Sequence, residues 1–279
     1  MQGVIYFFIL IFLLSGCQKK QTAPLRCLYD QVEITEACQR AIQNEAAYAR
    51  FKSDPFYALL YQSFSREEGV EILAHLERER PEFLKLCDRF RESDALGSPQ
   101  TYDYGKYGHF SPTTLHHIFI AAEIQEKIGF SPSAHILQIG GGYGGLCKIL
   151  HDRGAWERYT IVDLPQHLAL ARKTLEKQGI TNVCFQTPED FSPCTQYDMV
   201  ISDLSFSEFA RSTQKRWIAT LVPRARSGLL FCHLFPKHFG VEPFSPEELK
   251  EALAKKIPSV AMSDVKGERA HYSIWWKSL

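Results

Sequence analysis

From residue 135 to residue 276 short apolar runs rich in β-branched residues alternate with stretches of helical periodicity. This alternation constrains the fold more than any other feature of the chain. The runs HILQI (135–139), YTIVD (159–163), NVCFQ (182–186), YDMVIS (197–202) and GLLFCHLF (228–235) read as strands, with two more near 260–262 and 271–276. Between them lie helical stretches at about 146–151, 166–178 and 207–221, the second stopped by Gly179. A further helix is opened by Ser245-Pro246-Glu247-Glu248, a capping box. Strands separated by helices imply right-handed crossovers, so the class is α/β, a doubly wound and mostly parallel sheet.

Ahead of this region the pattern is helical. Ser65 and Glu68 have capping-box spacing, Val70, Leu73 and Leu76 recur at helical intervals, and Pro81 ends or kinks that helix. Phe83, Leu84, Cys87 and Phe90 continue an apolar stripe. Gly97-Ser98-Pro99 punctuates the chain, which divides it into a tether and helical region (18–97) and a main domain (98–279). Residues 18–36 read as a polar tether, and the helices after it as a packing or lidding element. A loop rich in Tyr and Gly follows at 101–114, where Ser111-Pro112 caps a helix over 113–128.

The first residues carry one apolar run, VIYFFILIFLL (4–14), about half the ~20 residues a spanning helix needs. Leu14-Ser15-Gly16-Cys17 resembles the lipobox of bacterial lipoproteins. That resemblance implies a signal segment over 1–17, lipidation of Cys17 and a membrane-anchored protein. The alternative is a short hydrophobic N-terminal helix on a cytoplasmic protein. Lys plus Arg (32) balance Asp plus Glu (32), so the sequence offers no basic excess to track phosphates, and no nucleic-acid partner is expected. The 8 cysteines form no C-x-x-C pair, and no cluster with metal-ligand spacing stands out, so no metal is expected. Cys147, Cys184 and Cys232 lie in apolar segments and are expected in the core. Cys27 and Cys38 could pair in an oxidising compartment.

The chemistry concentrates where the first strand of the main domain ends. It runs straight into Gly140-Gly141-Gly142-Tyr143-Gly144-Gly145, a backbone able to turn tightly and approach a ligand at a helix N-terminus. Asp163 closes the second strand, where a carboxylate accepts hydrogen bonds from ribose hydroxyls. Strand, glycines, helix, strand and Asp in that order point to an adenosine-containing cofactor. Gly140-x-Gly142-x-x-Gly145 also satisfies the dinucleotide pattern, so an NAD-dependent oxidoreductase is a remote alternative.

The stretch ILQIGGGYGGLCKIL (136–150) resembles motif I of class I S-adenosylmethionine-dependent methyltransferases, above all the sugar O-methyltransferase family. SPTTLHHIFIAAEI (111–124), YTIVDLPQHLALA (159–171) and YDMVISDLSFSEF (197–209) are similar in order and spacing. The resemblance covers about 98–276 and implies a Rossmann-like methyltransferase sheet ending in a β-hairpin. It implies transfer of a methyl group from S-adenosylmethionine to a hydroxyl of a sugar, small molecule or glycan. Gly140, Gly142 and Gly144 would present backbone to the cofactor. Asp163 would hold the ribose, Leu164 would pack on adenine, and Asp190 would accept from the adenine amino group. The family usually has an acid where this chain has Gln138, which supplies no charge to the cofactor. Removing a proton from the acceptor needs a base at the same sheet edge. Glu208, Asp203 and His233 are the candidates, with His109 and His238 behind them. Tyr104, Tyr107 and Phe110 would stack on a sugar. A third reading, prompted by Gln138 and the export signal, is a lipoprotein that keeps the fold as a catalytically degenerate binding module.

Overall fold

The protein is described by a computed structural model over residues 32–191, 195–234, 242–265 and 271–277, excluding the side chains of Leu60 and Val265. Six helices come first: α1 (Val32–Gln43), α2 (Glu45–Tyr48), α3 (Pro55–Tyr61), α4 (Arg66–Glu79), α5 (Pro81–Leu84) and α6 (Cys87–Arg91). A ribbon of β1 (Tyr102–Asp103) and β2 (His109–Phe110) leads to α7 (Pro112–Lys127). Then follow β3 (His135–Ile139), α8 (Gly145–Asp152), β4 (Arg158–Val162), α9 (Pro165–Lys177), β5 (Val183–Gln186) and β6 (Tyr197–Asp203). The chain closes with α10 (Arg211–Leu221), β7 (Ala225–His233), α11 (Pro246–Ala254), β8 (Val260–Val265) and β9 (His271–Lys277).

Seven strands form one sheet in the order β5-β4-β3-β6-β7-β9-β8. Every neighbouring pair from β5 to β7 is parallel, while β9 runs antiparallel to both β7 and β8. The sheet is therefore Rossmann-like and doubly wound, with the expected C-terminal hairpin. Its order reverses between β3 and β6, which places a crevice at their carboxyl ends. Because side chains alternate along a strand, β3 feeds two cores. Ile136 packs with Ile118 and Ile149 on one face, and Leu137 and Ile139 pack with Trp217, Ile218 and Leu249 on the other. Gly228 lies opposite Trp276, whose indole fills the space a Cβ would take.

Five expectations are corrected. The single helix over 207–221 is a 3-10 turn (Ser205–Glu208) followed by α10. Ser202 Oγ accepts from Phe206 N (3.1 Å), Gln214 Nε2 donates to Phe206 O (2.9 Å), and Phe209 and Ala210 are extended. Cys184 is exposed because β5 is the sheet's edge strand, whereas Cys147 and Cys232 are fully buried. Val70 faces solvent, while Leu73 and Leu76 are buried. The last residues assigned to the tether are the start of α1, whose Ile34, Ala37 and Cys38 are buried. The aromatic loop is pinned to the helical region: Tyr104 donates to Arg66 O (3.3 Å), Tyr107 to Glu77, and Phe110 is fully buried. The Phe110 ring is therefore not available to stack on a sugar, Tyr104 and Tyr107 are tied through their hydroxyls to the helical region, and His109 is exposed on β2.

Candidate active site

At the end of β3 the backbone enters the left-handed region three times, at Gly140 (φ 74°), Gly142 (φ 52°) and Gly144 (φ 89°), which disfavours any side chain there. The three positions differ in what they face. A Cβ at Gly140 would run into the Ser205 hydroxyl, and one at Gly142 would lie 2.7 Å from the Tyr61 ring. Gly144 instead caps α8 and faces Leu175 of α9 (2.9 Å to a Cβ), so turn geometry and packing both exclude a side chain there.

Asp163 sits just past β4, at the N-terminus of α9, where the helix dipole favours a carboxylate. Its Oδ2 accepts from the amides of Gly141 (2.8 Å) and Gly142 (2.9 Å). Its Oδ1 accepts from Leu164 N (2.7 Å) and from His167 Nδ1 (3.0 Å), one helical turn on. Burial pushes the carboxyl up, but His167 and the backbone donors outweigh it, so Asp163 stays below its ordinary value. Burial pushes His167 down, yet Asp163 and a hydrogen bond with Cys38 raise it to about 10, so the pair is ionised at neutral pH. The oxygens expected to grip a ribose are thus engaged by the protein itself.

Gln138 is equally occupied. Its Nε2 donates to Gly140 O (3.0 Å), and its Oε1 accepts from the Tyr159 hydroxyl (2.8 Å). It fastens the turn from beneath and is 2% exposed, so it is not placed to meet a cofactor's ammonium. Asp190 is exposed and closes a local turn with Thr187, whose hydroxyl donates to its Oδ2 (2.7 Å) and accepts from its N (3.1 Å). It does not line the crevice.

What remains at the switch point is a cavity of about 30 Å³, lined by Tyr61, Gly140, Asp163, Leu164, Phe209 and Trp217 among others. Glycine backbone, a carboxylate and apolar walls are the chemistry a nucleoside requires. The space holds one or two waters, against the roughly 300 Å³ or more that ligands occupy. The lining has the character of a nucleoside site, and the space is too small for a nucleoside.

A second group of polar residues lies at the carboxyl ends of β6 and β7. Asp203 Oδ1 is 2.8 Å from His116 Nε2, and Oδ2 is 3.9 Å from His117 Nε2, both on α7. Burial pushes Asp203 up, but His116, His117 and His271 outweigh it and keep the carboxyl below its ordinary value. Burial drives His117 down to about 3, so it is neutral. Glu208 Oε1 lies 3.4 Å from His233 Nε2, with Glu208 buried in its 3-10 turn. The three candidate bases are therefore at one edge, as two carboxylate–histidine pairs. His238, Cys17 and Cys27 lie outside the described residues. Cys38 is buried beside His167.

Sequence reasoning did not single out Tyr61, His116, His117 or His167. His167 had a readable signal, four residues after Asp163 on the first turn of a helix; Tyr61 had none.

No family model matches the sequence. Among solved structures, the chain is similar to an S-adenosylmethionine-dependent methyltransferase from Clostridium acetobutylicum. The identity is 11% and the TM-score 0.45, over 58% of this chain and 90% of that one. It is also similar to the methyltransferase domain of bacterial CtHen1, at 14% identity and a TM-score of 0.47, over 57% of this chain and 96% of that domain.

Proposed function

We propose that the chain is a class I S-adenosylmethionine-dependent methyltransferase acting on a hydroxyl of a small molecule, a sugar or glycan above all. Its cofactor cleft is closed in the conformation described. The observation that carries this reading is the cavity at the β3/β6 switch point, where Gly140, Asp163 and Leu164 meet the apolar walls of Phe209 and Trp217. The motif resemblance supports the same cofactor. When bound, S-adenosylmethionine supplies an electrophilic methyl group. The chain's own residues would present the bare backbone at Gly140 and Gly142, enclose the nucleoside with Leu164, and take up the acceptor's proton. Asp203, kept ionised beside His116, and Glu208 beside His233 are the groups for that last task. The lipobox supports anchoring at a membrane through Cys17. Palmitate labelling that disappears in Cys17→Ser checks this, and an unlabelled wild type rejects it.

Calorimetry of the full chain with S-adenosylhomocysteine tests the enzyme reading. Binding by the wild type and its loss in a folded Asp163→Ala protein is the expected result; a silent wild type, with Tyr61→Ala silent as well, rejects it. A degenerate binding module is the second reading, favoured by the saturated Asp163 and the inward-facing Gln138. The nicotinamide reading loses ground, because β9 enters the sheet antiparallel where a dinucleotide fold continues with a parallel strand.

A further inference from the structure

We infer that residues 61–64, a strap formed by the last residue of α3 and the chain leading to α4, are an autoinhibitory closure lying across both halves of the site, and that a nucleoside enters only when the strap and α3 lift away. This rests on the cofactor reading above and goes further by naming what blocks the site and what must move.

Two rings of the strap cover two different places. Tyr61 lies against the glycine turn at Gly142 and forms a wall of the cavity. Three residues on, Phe64 stacks on the His116 ring (centroids 4.1 Å apart, planes at 20°), and His116 in turn holds Asp203. One short stretch of backbone therefore seals the nucleoside side and the carboxylate–histidine side together. Lifting it uncovers both.

Contacts to α7 and α9 hold the strap down. Thr113 Oγ1 on α7 donates to Tyr61 O (2.9 Å). The Tyr61 ring stacks on Tyr57 of the same helix (4.4 Å, 19°) and meets the His167 ring edge-on (5.9 Å, 87°). Its hydroxyl lies 3.5 Å from His167 Nδ1, the nitrogen that donates to Asp163. The far side of α3 contributes little to the core, since Phe56 and Leu59 are 48% and 47% exposed. Closure also leaves the Tyr57 hydroxyl buried with no hydrogen-bond partner among the described residues, a defect that opening relieves. When the strap lifts, α3 must also give up the burial of Tyr57 in its core cluster and the pairing of its N-cap Asp54 with Arg40 of α1 (3.1 Å), so opening is a local unfolding of this seven-residue helix while the sheet stays intact.

If only the open fraction binds, apparent affinity is reduced by that fraction, and destabilising the closure restores it. Calorimetry with S-adenosylhomocysteine should therefore show Tyr61→Ala binding about tenfold or more tighter than wild type. Thr113→Val, which loosens the strap without touching the cleft and guards against a misfolded Tyr61 variant, should move the same way by less. Equal affinity in wild type and both variants, or weaker binding in Tyr61→Ala, overturns the closure and leaves the cofactor reading standing. A second readout needs no cofactor. Cys38 is fully buried on α1, next to His167 and Tyr57, and its alkylation by iodoacetamide can be followed by peptide mass. In a protein whose thermal melt remains cooperative, either variant should speed that alkylation severalfold or more. Unchanged rates in both overturn the closure even if no nucleoside binds, which is the result that rejects the cofactor reading.

Discussion

At position 138 one buried side chain must donate to a carbonyl and accept from a hydroxyl at once, and among side chains of this size an amide does both. A carboxylate there would keep the bond from Tyr159 but turn an oxygen toward Gly140 O, acceptor against acceptor, in a site shut off from water. The departure from the family's acid thus has a reason in the closed turn. Gln138→Glu should lower stability by about 1–3 kcal/mol at neutral pH, measured by urea unfolding; an unchanged midpoint would contradict the assignment. The Asp163–His167 pair makes a signed prediction of its own. His167 is raised to about 10 in the folded chain from an ordinary 6.5, so its contribution is complete below 6.5 and disappears as pH rises through 10. Over that window the native state holds one proton more than the unfolded state, and stability should fall by up to ~1.4 kcal/mol per pH unit from this group. Asp163 is shifted downward, so its share is present above the ordinary carboxylate range and is lost only in acid. His167 is faced by Cys38, Tyr61 and Asp163, so comparison with His167→Gln isolates the effect: the variant's stability should decline less between pH 7 and 9.5 than that of the wild type.

Elements were legible where a local rule decides them. The Ser65 and Ser245 capping boxes are both formed, each serine accepting from the amide three residues on while the glutamate there accepts from the serine amide. Ser65→Ala should cost about 1 kcal/mol, read from thermal unfolding, with α4 still present by circular dichroism. Strands β3, β4, β6 and β7 were legible because burial on both faces writes continuous apolar runs. The break at 209–210 was not, because apolar spacing continues through it and the chain is turned there by tertiary bonds from Ser202 and Gln214. The same division holds within the site. Glycines at 140, 142 and 144 show in the sequence because only backbone freedom explains them, and all three have positive φ. Tyr61 and Phe64 reach the site from about 80 residues upstream of the glycine turn, and spacing along a chain carries no trace of such a contact. His116 and His117 sit on a helix buried almost all round, where a histidine reads as core.

On the scale of the whole molecule, the boundary suggested at Gly97-Ser98-Pro99 does not divide the cores. Leu73 and Leu76 of α4, Phe83 of α5 and Phe90 of α6 belong to the same cluster as Ile118 of α7, Ile149 of α8 and Ile136 of the sheet. Phe51 and Tyr57 likewise share a cluster with Tyr143 of the glycine turn and Leu170 of α9. Lys52 is buried there too, its ammonium 4.4 Å from the centre of the Tyr143 ring and donating to Ser93 O (2.5 Å). The N-terminal helices are therefore a layer of the fold rather than an appendage. Each large apolar side chain that loses its burial forfeits about 1.5–3 kcal/mol. Leu73, Leu76, Phe83 and Phe90 alone carry at least about 6 kcal/mol, which is comparable with the 5–15 kcal/mol that holds a typical domain together. A chain beginning at residue 98 should consequently be aggregated or lack a cooperative thermal transition. One beginning at Val32, which retains every contact described here, should elute as a folded species and melt within a few degrees of the full chain. If the shorter chain instead unfolds cooperatively near the full-length temperature, the shared cluster contributes far less than its burial implies. The closure by residues 61–64 would then be the work of a separable domain, not of a strap between two helices of one core.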